Sequence, residues 1–258
     1  METTLRNISS ERDPLVPHFT FTGKMHPTID PILLMEIFRL RYEVYCLECR
    51  FLDPLAYQDG LEIDTYDKRS FHVASQNLEG TIVGSIRLVL AREEQEFPFE
   101  RHCPTFDDFT FPPREQCAEV SRLVVNKCYR RRAGDSFHGV TREFQEQGDV
   151  IDIEQCIHNK ERAAQERRSN SPQILLGMYR EIYRFSRNNG IHYWFAAMER
   201  SLVRILGQLG LRFIPIGPQA DYYGKVRTYT ANLDEMEADL HKANPFLASW
   251  FKKDAKMD

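Results

Sequence analysis

The sequence has no long apolar run, no excess of positive charge and no regular cysteine framework. No stretch reaches the roughly 18 consecutive apolar residues that a membrane-spanning helix needs. The N-terminal residues also lack the charged-then-apolar order of a secretory signal. A net charge of −4 argues against a general nucleic-acid-binding protein, whose domain is usually basic. We therefore expect a soluble cytoplasmic protein with no membrane span and no nucleic-acid partner.

The six cysteines do not indicate a disulfide scaffold or a metal site. Their spacing is irregular, unlike that of small secreted domains. Cys46 and Cys49 form a C-x-x-C pair, but a structural zinc site needs a second pair or two histidines at suitable spacing, and none is evident. The pair falls near the end of a predicted helix, so we interpret it as two half-buried thiols. No metal site is predicted.

The 258 residues are enough for one large domain with a substantial core. Helical spacing of apolar residues begins at Asp30 and continues to about Cys49. Two strand patterns, at 70–75 and 81–90, flank a hairpin turn, and a third buried strand covers 117–126. Helices and strands then alternate towards the C-terminus. This order predicts a mixed α/β sandwich, in which helices pack on a central sheet.

We divide the chain into a flexible N-terminal tail at 1–17, one domain at 18–232 and a polar helical tail at 233–258. Within the domain, residues 148–171 carry many charges and amides but few apolar side chains. Such a composition predicts a surface insertion or a partly disordered loop.

Charged residues interrupt the predicted strands, where a charge is costly unless it is paired or hydrogen-bonded. Arg87 lies within one apolar strand, and Glu119 and Arg122 lie within a later one. On the predicted helix, Arg41 lies along the apolar stripe. The acidic partners available in the long loop after this helix are Glu62, Asp64 and Asp67. This pattern favours an active site, although a purely structural ion-pair network would explain it as well.

Glu119 and Arg122 are three residues apart, so on a regular strand their side chains would point to opposite faces. A β-bulge between them would turn both towards one side and would splay the strand from its neighbour. A splayed strand leaves backbone N–H groups free to bind an extended amide ligand or an oxyanion.

Nine positions of the chain resemble the acyl-homoserine lactone (autoinducer) synthases in their order and approximate spacing. These positions are Arg41, Tyr45, Phe51, Glu62, Asp64, Asp67, Arg87, Glu119 and Arg122. The Glu-x-Asp-x-x-Asp spacing in the loop matches without a gap. The resemblance implies a GNAT-type N-acyltransferase fold, with a mixed central sheet, a bulged and splayed strand, and helices on both faces.

Two departures from that pattern resemble a sister branch. An aromatic pair that is typically Phe and Trp is here Tyr45 and Phe51, and the chain carries the charged insertion at 148–171. The sister branch contains the N-acyl amino acid synthases and the acyltransferases associated with PEP-CTERM/exosortase systems.

The resemblance to this branch implies transfer of a long-chain fatty acyl group to the amine of an amino acid or a related small amine. The co-substrate would be the acyl-phosphopantetheine of acyl carrier protein, or acyl-CoA, and no cofactor would be tightly bound. The nearest alternative is an autoinducer synthase that uses S-adenosylmethionine, followed by an ordinary acetyl-CoA-dependent N-acetyltransferase. The alternative from a different class is a non-catalytic protein that binds lipid or acyl carrier protein.

For such a reaction, an amine must lose a proton before it attacks a thioester, so a carboxylate base is needed. We expect Glu119 to be the base, with Glu62 in reserve and Arg122 orienting the carboxylates. The residues expected to bind or orient the substrate, with the two aspartates mainly holding the loop, are Arg41, Tyr45, Phe51, Asp64, Asp67 and Arg87. Those expected to contact the acyl group or the phosphopantetheine are Leu123, Val124, Val125, Trp194 and Phe195. The basic residues expected to bind the acidic carrier protein are Lys127, Arg130, Arg131 and Arg132.

Overall fold

The computed structural model describes residues 13–92, 95–130 and 170–252. The strands within these ranges are β1 (Phe19–Met25), β2 (Ser70–Asn77), β3 (Ile82–Leu90), β4 (Cys117–Val125), β5 (Tyr193–Met198), β6 (Ile214–Asp221) and β7 (Lys225–Asn232). The helices within them are α1 (Pro31–Tyr42), α2 (Ser171–Asn188), α3 (Arg200–Gln208), α4 (Leu233–Ala243) and α5 (Pro245–Lys252). None of these helices is long and apolar enough to cross a membrane.

The seven strands form one open sheet in the order β1-β2-β3-β4-β5-β7-β6. Every neighbouring pair is antiparallel except β4 and β5, which run parallel. The hairpin predicted from the two strand patterns is the pair β2 and β3. The prediction of a mixed central sheet is confirmed.

Side chains of the central strands alternate between two sides of the sheet, as a pleated strand requires. Phe71 and Val73 of β2 belong to the apolar layer shared with α2, whereas Ala74 belongs to the layer shared with α1. On β5, Trp194 lies in the α2 layer and Phe195 lies in a separate cluster on the other side. Helices therefore pack on both faces of the sheet, as predicted.

The start and the end of α1 place the loop that carries the acidic residues. The carboxylate of Asp30 caps the helix by accepting the N–H groups of Ile32 and Leu33, at 2.8 and 3.0 Å. After Tyr42 the helix widens into π-helical turns at Glu43–Glu48, a geometry frequent at functional sites. Arg50, just after these turns, adopts a φ of 54°, a left-handed conformation that the helix cannot continue through.

Both ends of the described chain are packed into the core, unlike the tails predicted for 1–17 and 233–258. Leu15 and Val16 are buried, and so are Trp250 and Phe251 of α5. The carboxylate of Asp13 joins the two ends, because it accepts the indole N–H of Trp250 at 2.7 Å. The sequence suggested tails because both segments are short and mostly polar. Residues 1–12, 253–258 and 131–169, which include most of the predicted insertion, lie outside the described ranges.

If α5 is part of the core, truncating its buried indole must be costly. We expect Trp250→Ala to lower the free energy of unfolding by about 3–5 kcal/mol, since it removes packing and a hydrogen bond. Phe246→Ala, on an exposed position of the same helix, should cost less than about 1 kcal/mol. Urea denaturation of the two variants measures the difference. Equal, small losses would show that α5 is a tail.

Candidate active site

A β-bulge in β4 lies where the two charged residues of that strand are found. Ser85 of β3 pairs with Val124, and Arg87 pairs with Ser121, so β4 contains one extra residue between these pairs. Within the bulge, Arg122 has a φ of 51°, the left-handed conformation that side chains rarely adopt. The predicted bulge is confirmed.

Strand β4 also separates from its parallel neighbour. The ladder between β4 and β5 contains three pairs, from Cys117 with Tyr193 to Glu119 with Phe195. A cavity of about 390 Å³ occupies the fork beyond these pairs. Its walls include Val120–Val125 of β4 and Ala196–Glu199 at the end of β5. The splayed strand therefore opens a pocket in the sheet itself.

The helix arginine is fully committed to two carboxylates. Arg41 is 1% exposed, and its Nε donates to Glu62 Oε2 at 2.5 Å. Its Nη1 donates to Asp67 Oδ1 at 2.7 Å. Because Glu62 and Asp67 are themselves buried, this pairing satisfies groups that would otherwise be unsolvated charges.

The two strand arginines complete the same network. Arg87 Nη1 donates to Asp64 Oδ1 at 2.6 Å and to Asp67 Oδ1 at 2.8 Å. Arg122 Nη2 donates to Glu62 Oε1 at 3.0 Å and to Asp64 Oδ2 at 3.2 Å. Three arginines thus balance three carboxylates. The alternating pairs hold the loop at 62–67 against α1, β3 and β4.

The network keeps its aspartates ionised. Burial alone would raise the pKa of Asp67, but the guanidinium groups of Arg41 and Arg87 hold it far below its usual range. The pKa of Asp64 is also lowered, because Arg87 outweighs the effect of burial. His72 of β2, which the sequence did not single out, lies beside Asp67, and burial lowers its pKa to about 4. The imidazole is therefore neutral at pH 7.

Glu119 stands apart from this network. Its side chain is buried in the wall of the cavity, and its Oε2 accepts the backbone N–H of Phe99 at 3.0 Å. No described arginine or lysine forms an ion pair with it. Burial raises its pKa to about 8, against the opposing effects of the Phe99 N–H and of Arg87 and Arg122. A carboxyl group with such a pKa can exchange a proton near neutral pH.

Comparison with known proteins gives a family match and similar solved structures. Residues 40–138 match the acetyltransferase (GNAT) domain family. The match supports a GNAT-type fold for the chain. No curated protein sequence matches the chain significantly.

Solved structures with the same GNAT fold include acyl-homoserine lactone synthases. The synthase LasI is 16% identical, with a TM-score of 0.56 over 87% of this chain and 95% of that one. TofI, in a ternary complex with an inhibitor and MTA, is 14% identical, with a TM-score of 0.57 over 88% and 99%. The CoA-dependent synthase BjaI, with SAM and isopentyl-CoA, is 18% identical, with a TM-score of 0.51 over 88% of each chain. The predicted likeness to these synthases is confirmed at the level of the fold.

Trp194 and Phe195, which were predicted to contact the acyl group, do not line the pocket. Trp194 is completely buried in the α2 layer, where its indole N–H donates to Ser186 Oγ at 2.9 Å. Phe195 points to the other side and packs against phenylalanine rings, including Phe97 at 5.9 Å. The prediction failed because the fork opens only after Phe195, so that the next residues of β5 form the wall. Leu123, Val124 and Val125 do line the cavity.

An aromatic cluster at the cavity contains two predicted residues and two that were given no role. Tyr45, Phe51 and Tyr223 lie with ring centroids 6.2–6.5 Å apart. The guanidinium of Arg122 lies over Tyr45 at 5.3 Å and over Tyr223 at 5.7 Å. Tyr222, at the same turn between β6 and β7, also lines the cavity. The Tyr-Tyr-Gly sequence at a hairpin turn was the available signal for this pair.

The basic cluster predicted to bind a carrier protein is only partly described. Lys127 is exposed. Arg130 lines the cavity and forms an ion pair with Glu48 at the end of the π-helical turns. Arg131 and Arg132 lie outside the described residues. Within residues 13–92, 95–130 and 170–252, no group of three or more His, Cys, Asp or Glu residues could hold a metal ion.

The raised pKa of Glu119 predicts an unusual effect of pH on stability. Between its ordinary value near 4.5 and about 8, the folded protein holds a proton that the unfolded chain releases. The free energy of unfolding should therefore fall by about 1.4 kcal/mol per pH unit from this group alone. We expect Glu119→Gln to remove that slope, as measured by urea denaturation from pH 5 to 8. The aspartates of the network change stability in the opposite direction. Their pKa values are lowered in the folded protein, so the free energy of unfolding that they contribute is lost as pH falls and is complete above their unfolded pKa. An unchanged slope in the variant would contradict the assignment.

Proposed function

We propose that the protein is an N-acyltransferase that moves a long-chain fatty acyl group from acyl carrier protein to the amine of an amino acid or a related small amine. The observation that carries the proposal is Glu119, a buried carboxyl group with a pKa near 8 in the wall of the fork. The GNAT domain match and the fold shared with acyl-homoserine lactone synthases support an acyl transfer.

The proposed reaction begins with proton removal. The substrate amine arrives as an ammonium ion, and Glu119 accepts one of its protons, directly or through a water molecule. Glu62 is less suited to this step, because its two oxygens already accept from Arg41 and Arg122. Arg122 is 9% exposed and lines the cavity, so it is the network arginine placed to orient the carboxylate of an amino acid.

The acyl thioester would occupy the fork. Apolar side chains of Leu123, Val124 and Val125 form one wall, which suits a hydrocarbon chain. Past Glu119, the N–H groups on the β5 side of β4 have no strand partner within the described sheet. These groups would receive the oxyanion as the amine nitrogen attacks the carbonyl carbon. The C–N bond forms, the C–S bond breaks, and the second amine proton leaves with the thiol.

A second candidate is an autoinducer synthase that acylates S-adenosylmethionine. The fold shared with the synthases LasI and TofI favours it. The donor is also open to test, because the structure of BjaI contains isopentyl-CoA. We favour acyl carrier protein because Arg130 lines the cavity and Lys127, three residues earlier in the chain, is exposed, and both would attract an acidic partner. The resemblance to the exosortase-associated branch supports an amino-acid acceptor.

One assay separates these functions. Purified protein is incubated with long-chain acyl carrier protein or acyl-CoA, together with either a panel of amino acids or S-adenosylmethionine, and the products are identified by mass spectrometry. We expect an acyl amino acid, formed faster from the carrier protein and more slowly as salt concentration rises. An acyl-homoserine lactone would establish the second candidate. Acetylated products with acetyl-CoA would indicate an ordinary N-acetyltransferase, and no product from any pair would indicate a binding protein.

The role of Glu119 as the base is tested by replacing its carboxyl group with a neutral amide. Glu119→Gln should reduce kcat by about 10²–10⁴-fold while the protein stays folded, because the amine loses its proton acceptor. In the wild type, kcat/KM should rise with pH with a midpoint near 8, since only the ionised carboxylate is active. The matched control is Glu115→Gln, an exposed glutamate just before β4, which should leave both quantities unchanged. A Glu119→Gln enzyme with wild-type rates would rule out this base.

A further inference from the structure

The turn at Pro98–Arg101 delivers the backbone N–H that Glu119 accepts. A hydrogen bond to the ionised form of an acid favours that form. If Phe99 moved away, Glu119 would lose this support while keeping its burial. What holds the turn therefore matters for the proton affinity of the carboxyl group.

An ion pair fastens this turn to the segment that leads into β4. Arg114 donates from Nη2 to Glu100 Oε2 at 2.6 Å and from Nη1 to Oε1 at 3.1 Å, a bidentate geometry. Glu100 Oε2 also accepts the N–H of Phe97 at 2.5 Å. Arg114 Nη2 donates in addition to the carbonyl of Gln95 at 2.6 Å. The pair thus ties both sides of Phe99 to the chain directly before Glu119.

The pair is sheltered by aromatic packing. The guanidinium of Arg114 lies 4.7 Å from the ring centroid of Phe97, and the Glu100 side chain is 18% exposed. Phe97 and Phe99 are both completely buried, and Phe99 packs against Phe195 at 5.5 Å. Two causes can therefore hold the Phe99 N–H in place. One is the ion pair, and the other is the packing of the rings alone.

We propose that Arg114 and Glu100 are positioning residues, whose ion pair keeps the Phe99 N–H on Glu119 and thereby sets the proton affinity of the base. The kinetic consequence rests on the proposed function. The hydrogen-bond geometry does not rest on it. The Arg114–Glu100 ion pair, called the clamp below, acts on Glu119 whether or not an acyl group is transferred.

The charged groups around Glu119 make the direction of a change in its pKa informative. The titratable and charged groups that interact with it are Arg87 of β3, Arg122 of β4, Tyr66 and Arg69 of the loop before β2, Glu100 and Cys103 at the turn, and Tyr222 between β6 and β7. The negative charge of Glu100 disfavours ionisation of Glu119. Removing that charge without any movement would lower the pKa of Glu119. Releasing the Phe99 N–H would raise it.

The test is a titration of Glu119 that needs no turnover. Glu100→Ala is made in two backgrounds, one with Glu119 and one with Glu119→Gln, and urea unfolding is followed from pH 4 to 10. At each pH, the difference in the free energy of unfolding between the two backgrounds is the contribution of Glu119, and its dependence on pH gives the pKa of Glu119 in the folded protein. We expect it to shift upward by about one pH unit in Glu100→Ala, as loss of a hydrogen bond to a charged group implies. Arg114→Met should shift it in the same direction.

The matched control is Glu96→Ala. Glu96 lies just before the same turn and pairs with Arg101, but both side chains are largely exposed, at 58% and 63%. We expect no shift in this variant. An unchanged or lowered pKa in Glu100→Ala would overturn the proposal, since it would show that ring packing alone positions Phe99.

A kinetic measurement then links the clamp to catalysis. The midpoint of kcat/KM against pH should move upward in Glu100→Ala and Arg114→Met, by the same amount as the titration, with KM within about twofold of the wild type. A shifted titration with an unshifted rate profile would overturn the role of the clamp in the reaction. If no substrate pair gives product, the proposed function fails while the titration still decides whether the clamp exists.

Discussion

The rest of the site depends on the mutual neutralisation of three arginines and three carboxylates away from water. Each ion in such a cluster would be prohibitively costly alone, so no member can be removed without stranding another. The arginines come from α1, β3 and β4, whereas the carboxylates all come from one loop. The pairing therefore determines where an otherwise irregular loop lies. The members are Arg41, Arg87 and Arg122 with Glu62, Asp64 and Asp67.

That closed set of charges explains how two glutamates in one site acquire different chemistry. Each oxygen of Glu62 accepts a hydrogen bond from an arginine, so its carboxylate is part of the balanced cluster. Glu119 is equally buried, yet it lies outside the balance and receives a single backbone N–H from Phe99. Desolvation then dominates, and the group favours its protonated form. The network thus excludes one carboxylate and leaves it suited to proton transfer.

Sequence alone predicted those features that follow from local physics. Asp30 before Pro31 marked a helix start, and the three-residue spacing of Glu119 and Arg122 on a strand suggested a bulge that would turn both side chains towards one side. The pairing of particular acids with particular arginines was beyond it, since such contacts join residues as far apart as Glu62 and Arg122. Alternation along β5 also could not show that the fork opens just after Phe195. The point where the fork opens depends on the register between the parallel strands β4 and β5, which the sequence does not show.

The short ladder between β4 and β5 has a mechanical consequence. Seven pairs join β2 to β3, but three join β4 to β5, so the sheet consists of two half-sheets with a narrow seam between them. On one side the seam is backed by a continuous layer in which Tyr179 packs against Trp194 at 6.0 Å. The cavity lies within the seam, because Tyr179 from this layer and Tyr45 from the opposite face both line it. Of the neighbouring strand pairs in the described sheet, β4 and β5 share the shortest ladder, so the width of the fork is fixed by fewer backbone pairs than any other strand spacing.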